Sequence, residues 1–180
     1  MKDRECKFIV KESGIEGKGC FATALIQRGE IICFMKGKLA TIPEIREKYK
    51  TGELRIDDPL QIEKAKYLIL DEPYIFFNHR CTPNAQVIKK GKMIAVQDII
   101  PGQEIFFDYA ATEWTDEEFA EFVDPNHKDY KRWKMECKCG LPSCRDKVEE
   151  FIYLPERLQG YYLNHRLVQD FILQKAGEGI

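Results

Sequence analysis

Two polar motifs, separated by a predicted hairpin, restrict what this chain can fold into more than any other feature of its sequence. The first, NHRCTPN, occupies residues 78–84, and the second, EIFFDY, occupies residues 104–109. Between them, residues 86–89 and 92–98 read as paired strands with a glycine-containing turn. The first motif places an amide, an imidazole and a thiol close together, and such groups need hydrogen-bonding partners when buried. A polar ligand is one such partner.

The N-terminal half predicts further short strands. Residues 6–11, 20–24 and 30–35 fit strands, and glycine-containing turns separate them. The regular alternation of strands and helices that indicates a doubly wound sheet is missing from the sequence. Gly17 and Gly19 are therefore not a dinucleotide-binding fingerprint, because no long helix follows them. Taken alone they predict a surface turn; beside the two motifs they favour a backbone that approaches a ligand closely.

Three segments are predicted to be helical. Residues 41–50 and 115–123 each begin with a capping-box pattern, and residues 161–176 carry apolar side chains on one face, with Gly177 as the expected stop. Residues 50–66 are polar and predict irregular structure. The whole pattern predicts a mainly β fold with a few helices.

Three of the seven cysteines fall within eight residues, as Cys137, Cys139 and Cys144. In a chain without a secretion signal, this clustering indicates metal binding before disulfides. Structural zinc sites have four ligands, and thiolate is the favoured donor, so one ligand is missing from this loop. The alternative is a group of free buried thiols or a redox pair. The remaining cysteines on predicted strands are most simply small core residues: Cys6, Cys20 and Cys33.

The two central motifs closely resemble those of SET-domain protein lysine methyltransferases, whose usual strings are N-H-x-C-x-P-N and E-L-x-F/Y-D-Y. The sequence GKGCFA at residues 17–22 is similar to the first glycine-rich turn of that family. The cysteine cluster with the following residues, 137–145, resembles its post-SET zinc motif. The four motifs occur in the family's order, and the resemblance covers about residues 7–148.

The resemblance implies a SET-domain β-clip-like fold of several small curved sheets, with a post-SET zinc loop and a C-terminal helix. The predicted division of the chain is a SET core over 1–111, a helical insertion over 112–136, the zinc loop over 137–148 and a helical extension over 149–180. In the family, the segment that corresponds to residues 50–66 varies and often forms one wall of the substrate groove.

The resemblance also implies the site residues. S-adenosylmethionine would be bound by the glycine turn, by the Asn78 amide and by the His79 backbone. Tyr109 would be the catalytic residue, with its hydroxyl near the sulfonium methyl group. The missing zinc ligand would be Cys81. The residues expected to bind the cofactor are Glu16, Gly17, Lys18, Gly19, Asn78, His79 and Tyr109, and those expected to bind zinc are Cys81, Cys137, Cys139 and Cys144.

The acceptor would be a lysine side chain in a narrow channel. Free lysine has a pKa near ~10.4, and an apolar channel with a sulfonium at its end would lower it, so no strong general base is required. Phe107 occupies the family's Phe/Tyr switch position, where phenylalanine favours a di- or trimethyl product. Met35 replaces a channel tyrosine of the family, and Ile75 stands where an arginine is common.

Composition limits the partners. The formal net charge of −2 argues against nucleic acid as a direct partner. The sequence has no apolar run of the ~20 residues that a membrane span needs, and no signal peptide pattern. We expect an intracellular protein, cytoplasmic or nuclear, that acts as a monomer or weak dimer on a protein substrate carrying a target lysine, with a histone among the candidates.

Three functions fit these observations. The first is an active protein lysine methyltransferase that uses S-adenosylmethionine. The second is a degenerate SET module that binds zinc and a protein partner without turnover, which the replacement at Met35 keeps open. The third is a small zinc-binding interaction protein with no cofactor.

Overall fold

The structure is a computed structural model, and it describes residues 7–55, 58–114 and 133–178. Ten short strands, three α-helices and three single-turn 3₁₀ helices lie in these residues, so the prediction of a mainly β fold is confirmed. The strands are β1 Phe8–Glu12, β2 Lys18–Ala22, β3 Ile31–Phe34, β4 Gly37–Thr41, β5 Pro59–Glu63, β6 Lys66–Leu70, β7 Ala85–Ile88, β8 Lys92–Ala95, β9 Lys134–Glu136 and β10 Lys147–Glu149. The helices are α1 Ile42–Thr51, α2 Glu156–Asn164 and α3 Asp170–Glu178.

The strands form four small antiparallel sheets. Two have two strands, β1-β2 and β9-β10, and two have three, in the orders β3-β8-β7 and β4-β6-β5. The predicted hairpin between the motifs is the pair β7-β8, in which Ala85 faces Ala95 and Ile88 faces Lys92. The described part of the chain has no helix that is long and apolar enough to cross a membrane.

The two motifs lie side by side. His79 and Phe107 form an isolated parallel bridge. The Arg80 N–H donates to the Phe107 carbonyl at 3.2 Å, and the Phe107 N–H donates to the Asn78 carbonyl at 3.2 Å. Segments that are about 25 residues apart in sequence thereby share one stretch of backbone pairing, which sets the position of every side chain that they carry.

Two hydrophobic cores meet at Tyr109, which packs against both. The first core lies between the strands of the N-terminal half, and its largest fully buried members are Ile26, Phe77, Met93, Ile99 and Ile105. The second joins the C-terminal helices to the short sheet β9-β10, and it includes Trp133, Val148, Phe151, Val168 and Ile172.

Helix α1 follows its sequence signals. Thr41 and Glu44 form the predicted capping box, with the Thr41 N–H donating to Glu44 Oε2 at 2.8 Å, and Gly52 closes the helix at φ +72°. The prediction of irregular structure over 50–66 is wrong in part, because strand β5 forms there and pairs with β6. Its register is set by tertiary packing, which the polar sequence of the segment does not reveal.

The predicted single helix over 161–176 is wrong, because two helices share this region. Helix α2 ends at Asn164, and α3 begins at Asp170. Arg166, between them, has a φ of +53°, a left-handed conformation that cannot continue a helix. Apolar residues keep helical spacing across the break, so periodicity could not locate it. Gly177 also fails to stop α3, which runs through it.

The predicted helix over 115–123, most of the proposed insertion over 112–136, and Cys6 lie outside the described residues.

Candidate functional site

A recess of about 450 Å³ opens where the glycine turn faces the two motifs. Among the residues that line this large recess are six that the sequence predicted for a cofactor: Glu16, Gly17, Lys18, Asn78, His79 and Tyr109. The glycine turn, the first motif and the second motif therefore each supply part of one wall. Arg55, Met135 and Lys138 complete it from segments that carried no cofactor prediction.

Gly17 and Gly19 serve different purposes in the turn. Gly17 lines the large recess with a φ of +48°, a conformation that favours glycine. Gly19 does not line the recess. A Cβ on Gly19 would lie 2.1 Å from Glu104 Oε1 and 3.2 Å from Asn78 Nδ2, so only glycine leaves room for these two side chains.

A hydrogen-bond network holds the glycine turn against both motifs. The Asn78 Nδ2 group donates to the Lys18 carbonyl at 3.0 Å, to Ser13 Oγ at 3.1 Å and to Glu104 Oε1 at 2.8 Å. Ser13 Oγ in turn donates to the Glu104 carboxylate at 2.9 Å. The sequence analysis missed Ser13 and Glu104. Of the two, Glu104 could have been considered from the sequence, because it is the first residue of the second motif.

His79 connects the large recess to the cysteine cluster. Its buried ring accepts a hydrogen bond from the Tyr109 N–H at Nδ1, at 3.2 Å, and its Nε2 lies 3.5 Å from Cys81 Sγ. Burial lowers the pKa of His79 to about 4, although the nearby Asp108 carboxylate opposes this. A neutral ring that accepts at Nδ1 carries its proton on Nε2, which therefore points at the sulfur.

Tyr109 is held by contacts on three sides. Its hydroxyl donates to the Phe77 carbonyl at 2.8 Å. Its ring lies 4.6 Å from the Phe107 ring and 5.4 Å from the His79 ring, measured between centroids. The orientation of the phenol is thus fixed by the folded chain itself.

Tyr109 also lines a second, much smaller recess, with a volume of about 20 Å³. The walls of this narrow recess combine apolar and aromatic residues, among them Leu70, Phe77, Phe107 and Trp133, with the polar residues Asp58, Thr112 and Glu113. The two recesses share Asp58, Ile75 and Tyr109 as lining residues. They therefore adjoin each other at the phenol.

Met35, predicted for the channel, lines neither of these two recesses. It is buried in the first hydrophobic core, where its N–H donates to the Gly91 carbonyl at 2.7 Å. Phe107, predicted for the same channel, does line the narrow recess. Of the two residues predicted for the channel, Phe107 therefore lines the narrow recess, and Met35 lies in the first hydrophobic core.

The four cysteines predicted to bind zinc converge. Their sulfur atoms all lie within 4.8 Å of one another, with Cys81 Sγ and Cys137 Sγ 3.7 Å apart. Tetrahedral zinc with Zn–S bonds of about 2.3 Å requires sulfur atoms about 3.8 Å apart, so the donor set fits this ion. The backbone N–H of Arg145 lies 3.4 Å from Cys81 Sγ, and such donors favour the thiolate form.

A buried ion pair joins the second motif to the cysteine cluster. Asp108 is fully buried, and its carboxylate accepts two hydrogen bonds from the Arg145 guanidinium, at 2.7 and 2.6 Å. It also accepts one from the Tyr162 hydroxyl of α2 at 2.9 Å. Burial and the Asp108 charge raise the pKa of Tyr162, so its phenol stays a donor. The sequence analysis singled out neither Arg145 nor Tyr162, because nothing local marks a pairing partner that is distant in sequence.

A second, more exposed ion-pair group lies at the wall of the large recess. The Glu16 carboxylate lies 2.9 Å from Lys138 Nζ and 3.4 Å from Arg55. The hydrogen bond from Lys138 lowers the pKa of Glu16. Lys138 stands between Cys137 and Cys139. The glycine turn is therefore tied to the cysteine loop.

Comparisons with known proteins agree with this geometry. The sequence model of the SET domain matches residues 17–110. The chain is 27% identical over 166 residues to the histone-lysine N-methyltransferase trithorax of Drosophila virilis, a match that covers 81% of this chain and 4% of that protein. It is 27% identical over 161 residues to the H3 lysine-4 specific histone-lysine N-methyltransferase of Schizosaccharomyces pombe, covering 81% of this chain and 15% of that protein. The chain thus spans a small part of the length of these relatives.

Solved structures share the fold. An autoinhibited ctPRC2 bound to S-adenosylmethionine superposes with a TM-score of 0.52 at 21% identity, over 61% of this chain and 16% of that chain. The Polycomb Repressive Complex 2 of Chaetomium thermophilum bound to the inhibitor GSK126 superposes with a TM-score of 0.51 at 22% identity, over 58% of this chain and 16% of that chain. This likeness concerns the fold alone.

Proposed function

The chain belongs to the SET-domain family, and on that premise we propose that it is a protein-lysine N-methyltransferase that uses S-adenosylmethionine. The observation that carries the proposal is the meeting of two unlike recesses at Tyr109. One is large and is lined by the glycine turn and both motifs, and the other is narrow and is lined in part by the aromatic rings of Phe77, Phe107 and Trp133. A methyl donor in the first and an amine in the second would face each other across the phenol.

The large recess is the proposed donor site. S-adenosylmethionine supplies an electrophilic methyl group on a sulfonium. The residues that would hold it are the six predicted ones that line the recess, with the glycine turn giving backbone contacts. The amide N–H groups of Asn78 would mainly hold the glycine turn in place, because they already donate to Ser13, Lys18 and Glu104. The amide oxygen of Asn78 remains the group offered to a ligand.

The narrow recess is the proposed acceptor site. Methyl transfer is an in-line displacement, in which the amine lone pair attacks the methyl carbon as the carbon–sulfur bond breaks. A narrow aromatic passage aligns the amine, excludes water and disfavours its charged form. The Tyr109 oxygen, with its proton engaged by the Phe77 carbonyl, would present lone pairs to the reacting groups.

The cysteine cluster is proposed to hold one zinc ion through Cys81, Cys137, Cys139 and Cys144. The ion would supply structure and no chemistry, because four thiolates leave no open position for a substrate. Cys81 lies within the first motif, so the metal would fasten the C-terminal loop, with Met135 and Lys138, against the large recess.

The product is proposed to be di- or trimethyl-lysine. Phe107 lines the narrow recess and contributes no hydroxyl to it. A hydroxyl there could hold a water molecule in the space that a second methyl group needs. The substrate is proposed to be a protein, with a histone first among candidates, since the matched relatives are named as histone-lysine methyltransferases. A nuclear or cytoplasmic location would follow.

Two measurements test the proposal. Binding of S-adenosylmethionine to the folded protein should raise its melting midpoint, because a ligand specific to the native state stabilises it. Tritium from labelled S-adenosylmethionine should then appear in core histones or in a lysine-centred peptide library. A raised midpoint without transfer would instead support the degenerate interaction module, and an unchanged midpoint would leave only a zinc-binding protein.

A further inference from the structure

The narrow recess contains a buried carboxyl group that lies outside both motifs. Glu113 follows the 3₁₀ turn that begins at Tyr109, and its residue is 4% exposed. It lines the same recess as Tyr109, Phe107 and Trp133. Burying an ionisable carboxyl group is unfavourable unless it is paired, so a reason for its presence is required.

The contacts of Glu113 with the described residues fix its position. Its Oε1 accepts a hydrogen bond from the Gln61 N–H at 3.2 Å, and its carbonyl accepts one from the Phe151 N–H at 2.8 Å. Gln61 is itself held, since its Oε1 accepts from the Trp114 N–H at 2.8 Å. Within the described residues, no lysine or arginine forms an ion pair with Glu113. Among the residues that the structure describes, the carboxyl of Glu113 thus has a neutral donor, the Gln61 N–H.

The surroundings favour the uncharged form of Glu113. Burial raises its pKa well above the ordinary value, the Gln61 N–H opposes the rise, and the neighbouring Glu150 carboxyl adds to it. The other ionisable groups near it are Asp58 and Tyr109 in the same recess and Lys175, whose ammonium donates to the Trp114 carbonyl at 3.1 Å.

We propose that Glu113 meets the protonated amine of the substrate in the narrow recess and takes its proton. This inference rests on the proposed function. One N–H bond of the ammonium breaks, an O–H bond forms on the Glu113 carboxylate, and the freed lone pair attacks the methyl carbon. The carbon–sulfur bond breaks with its electron pair remaining on sulfur, and the amine leaves as an N-methylammonium. Glu113 then releases its proton to solvent when the recess empties.

Desolvation makes this transfer favourable. In water, a lysine ammonium and a glutamic acid differ by about 6 pKa units, so the charged pair is strongly preferred. Burial raises the pKa of a carboxyl and lowers that of an ammonium, which moves the two values together. Aromatic walls from Phe107 and Trp133 can receive the cation on entry, and the carboxylate is then the acceptor within the recess. This proposal differs from the sequence-based expectation that no strong general base is required.

The test compares Glu113→Gln with the matched control Glu150→Gln. Glu150 is a second buried carboxyl group nearby, bonded to the Trp133 N–H at 2.9 Å, and it does not line the narrow recess. Both substitutions keep an acceptor oxygen and remove a charge. Methylation of a lysine-centred peptide library is measured from pH 6 to pH 10, with melting midpoints recorded for each protein.

For the wild type, we expect kcat/KM to rise with pH until Glu113 is ionised in the empty recess, and then to level. Glu113→Gln should lose about 100-fold at neutral pH and recover only at alkaline pH, where the substrate amine deprotonates unaided. Its melting midpoint should not fall. Glu150→Gln should show no loss at neutral pH, and its rise in kcat/KM should move to lower pH, because the Glu150 carboxyl no longer raises the pKa of Glu113.

An unchanged pH profile in Glu113→Gln overturns the proton transfer while leaving the proposed function intact. Equal losses in both variants with lowered melting midpoints also overturn it, since that result indicates a structural role. If the wild type transfers no methyl group to the library or to core histones, the proposed function fails, and the inference fails with it.

Discussion

The two recesses that adjoin at Tyr109 are lined by largely different residues. The large one, of about 450 Å³, is lined by turns, polar side chains and an ion-pair group. The narrow one, of about 20 Å³, is lined mainly by aromatic and aliphatic side chains with a buried carboxyl. A polar, charged cofactor needs many hydrogen-bonding groups, whereas a neutral amine needs a dry and narrow passage. The difference in size and the motif residues that line the large recess are the main support for assigning the donor to one and the acceptor to the other.

The recesses also differ in what holds them together. The large recess depends on a chain of tertiary contacts, from the Ser13–Asn78–Glu104 network to the cysteine loop. The narrow recess draws its walls from both hydrophobic cores, through Phe77 in the first and Trp133 in the second. Substitutions and removal of the metal should therefore affect one recess more than the other.

Removal of the metal should damage the large recess most. Zinc coordination contributes on the order of 10 kcal/mol in small zinc-binding peptides, so a chelator or Cys81→Ser should lower the melting midpoint sharply. Stabilisation by S-adenosylmethionine should also disappear, because Met135 and Lys138 belong to the cysteine loop region. Zinc content, measured by atomic absorption, should fall from one equivalent to none. Cys33→Ala, in the first core, should keep its zinc; zinc retained by Cys81→Ser would contradict the site.

Asp108→Asn should destabilise both recesses together. The substitution leaves the Arg145 guanidinium without its buried carboxylate, which costs about 3–5 kcal/mol for a pair of this kind. Denaturant unfolding should report that loss. Tyr162→Phe removes one hydrogen bond from the same carboxylate and should cost only about 1 kcal/mol. Equal effects of the two substitutions would show that the ion pair is unimportant.

Tyr109→Phe should lower the rate of methyl transfer and leave the structure of both recesses unchanged. Methyl transfer should fall by about 100- to 1000-fold, the usual cost of removing one preorganised polar group from a reacting centre. The ring remains, so the shift in melting midpoint with S-adenosylmethionine should be kept. Scintillation counting and thermal melts measure the two quantities. A variant that transfers methyl groups at the wild-type rate would remove the phenol from the mechanism.

Phe107→Tyr tests whether the narrow recess sets the number of methyl groups in the product. The added hydroxyl can hold a water molecule in the space of a second methyl group, so monomethyl-lysine should replace the di- or trimethyl product. Mass spectrometry of the modified peptides gives the product distribution. Monomethyl product alone from the wild type, unchanged by the substitution, would refute the proposed product state.

Glu16→Gln should have the smallest effect, confined to the large recess. Exposed ion pairs contribute about 0–1 kcal/mol and are screened by salt. The affinity for S-adenosylmethionine should weaken less than about fivefold at low ionic strength, and the difference should shrink in high salt. Calorimetric titration at two salt concentrations measures it. An effect that is large and independent of salt would mean that the Glu16 side chain, and not only its backbone, contacts the ligand.

The large recess could be anticipated from the sequence because its residues lie in short, contiguous motifs. Six of the expected cofactor residues line this recess, and three of the four clustered cysteines lie in one short loop, whereas Cys81 was expected only from the family resemblance. The narrow recess could be anticipated only in part, through Phe107 and Tyr109. Trp133, Glu113 and Leu70 come from segments with no shared pattern, and Met35 lies in the core.

The same distinction applies to the fold. Helix α1 was predictable because its capping box and Gly52 are local signals. The break between α2 and α3 was not predictable, because the residue with the left-handed conformation is Arg166 and not a glycine, which would have indicated a helix end. Strand β5 forms because β6 pairs with it, which is a property of the assembled sheet.

The position of Lys138 between two of the clustered cysteines has a consequence for regulation. This lysine lines the large recess and pairs with the Glu16 carboxylate, so the loop proposed to hold zinc also forms part of the wall proposed for the donor. Binding of zinc would thereby prepare the protein for the methyl donor. In a cell, the availability of zinc would set the fraction of molecules able to retain a methyl donor, and scarcity would silence the protein while its β core stays folded.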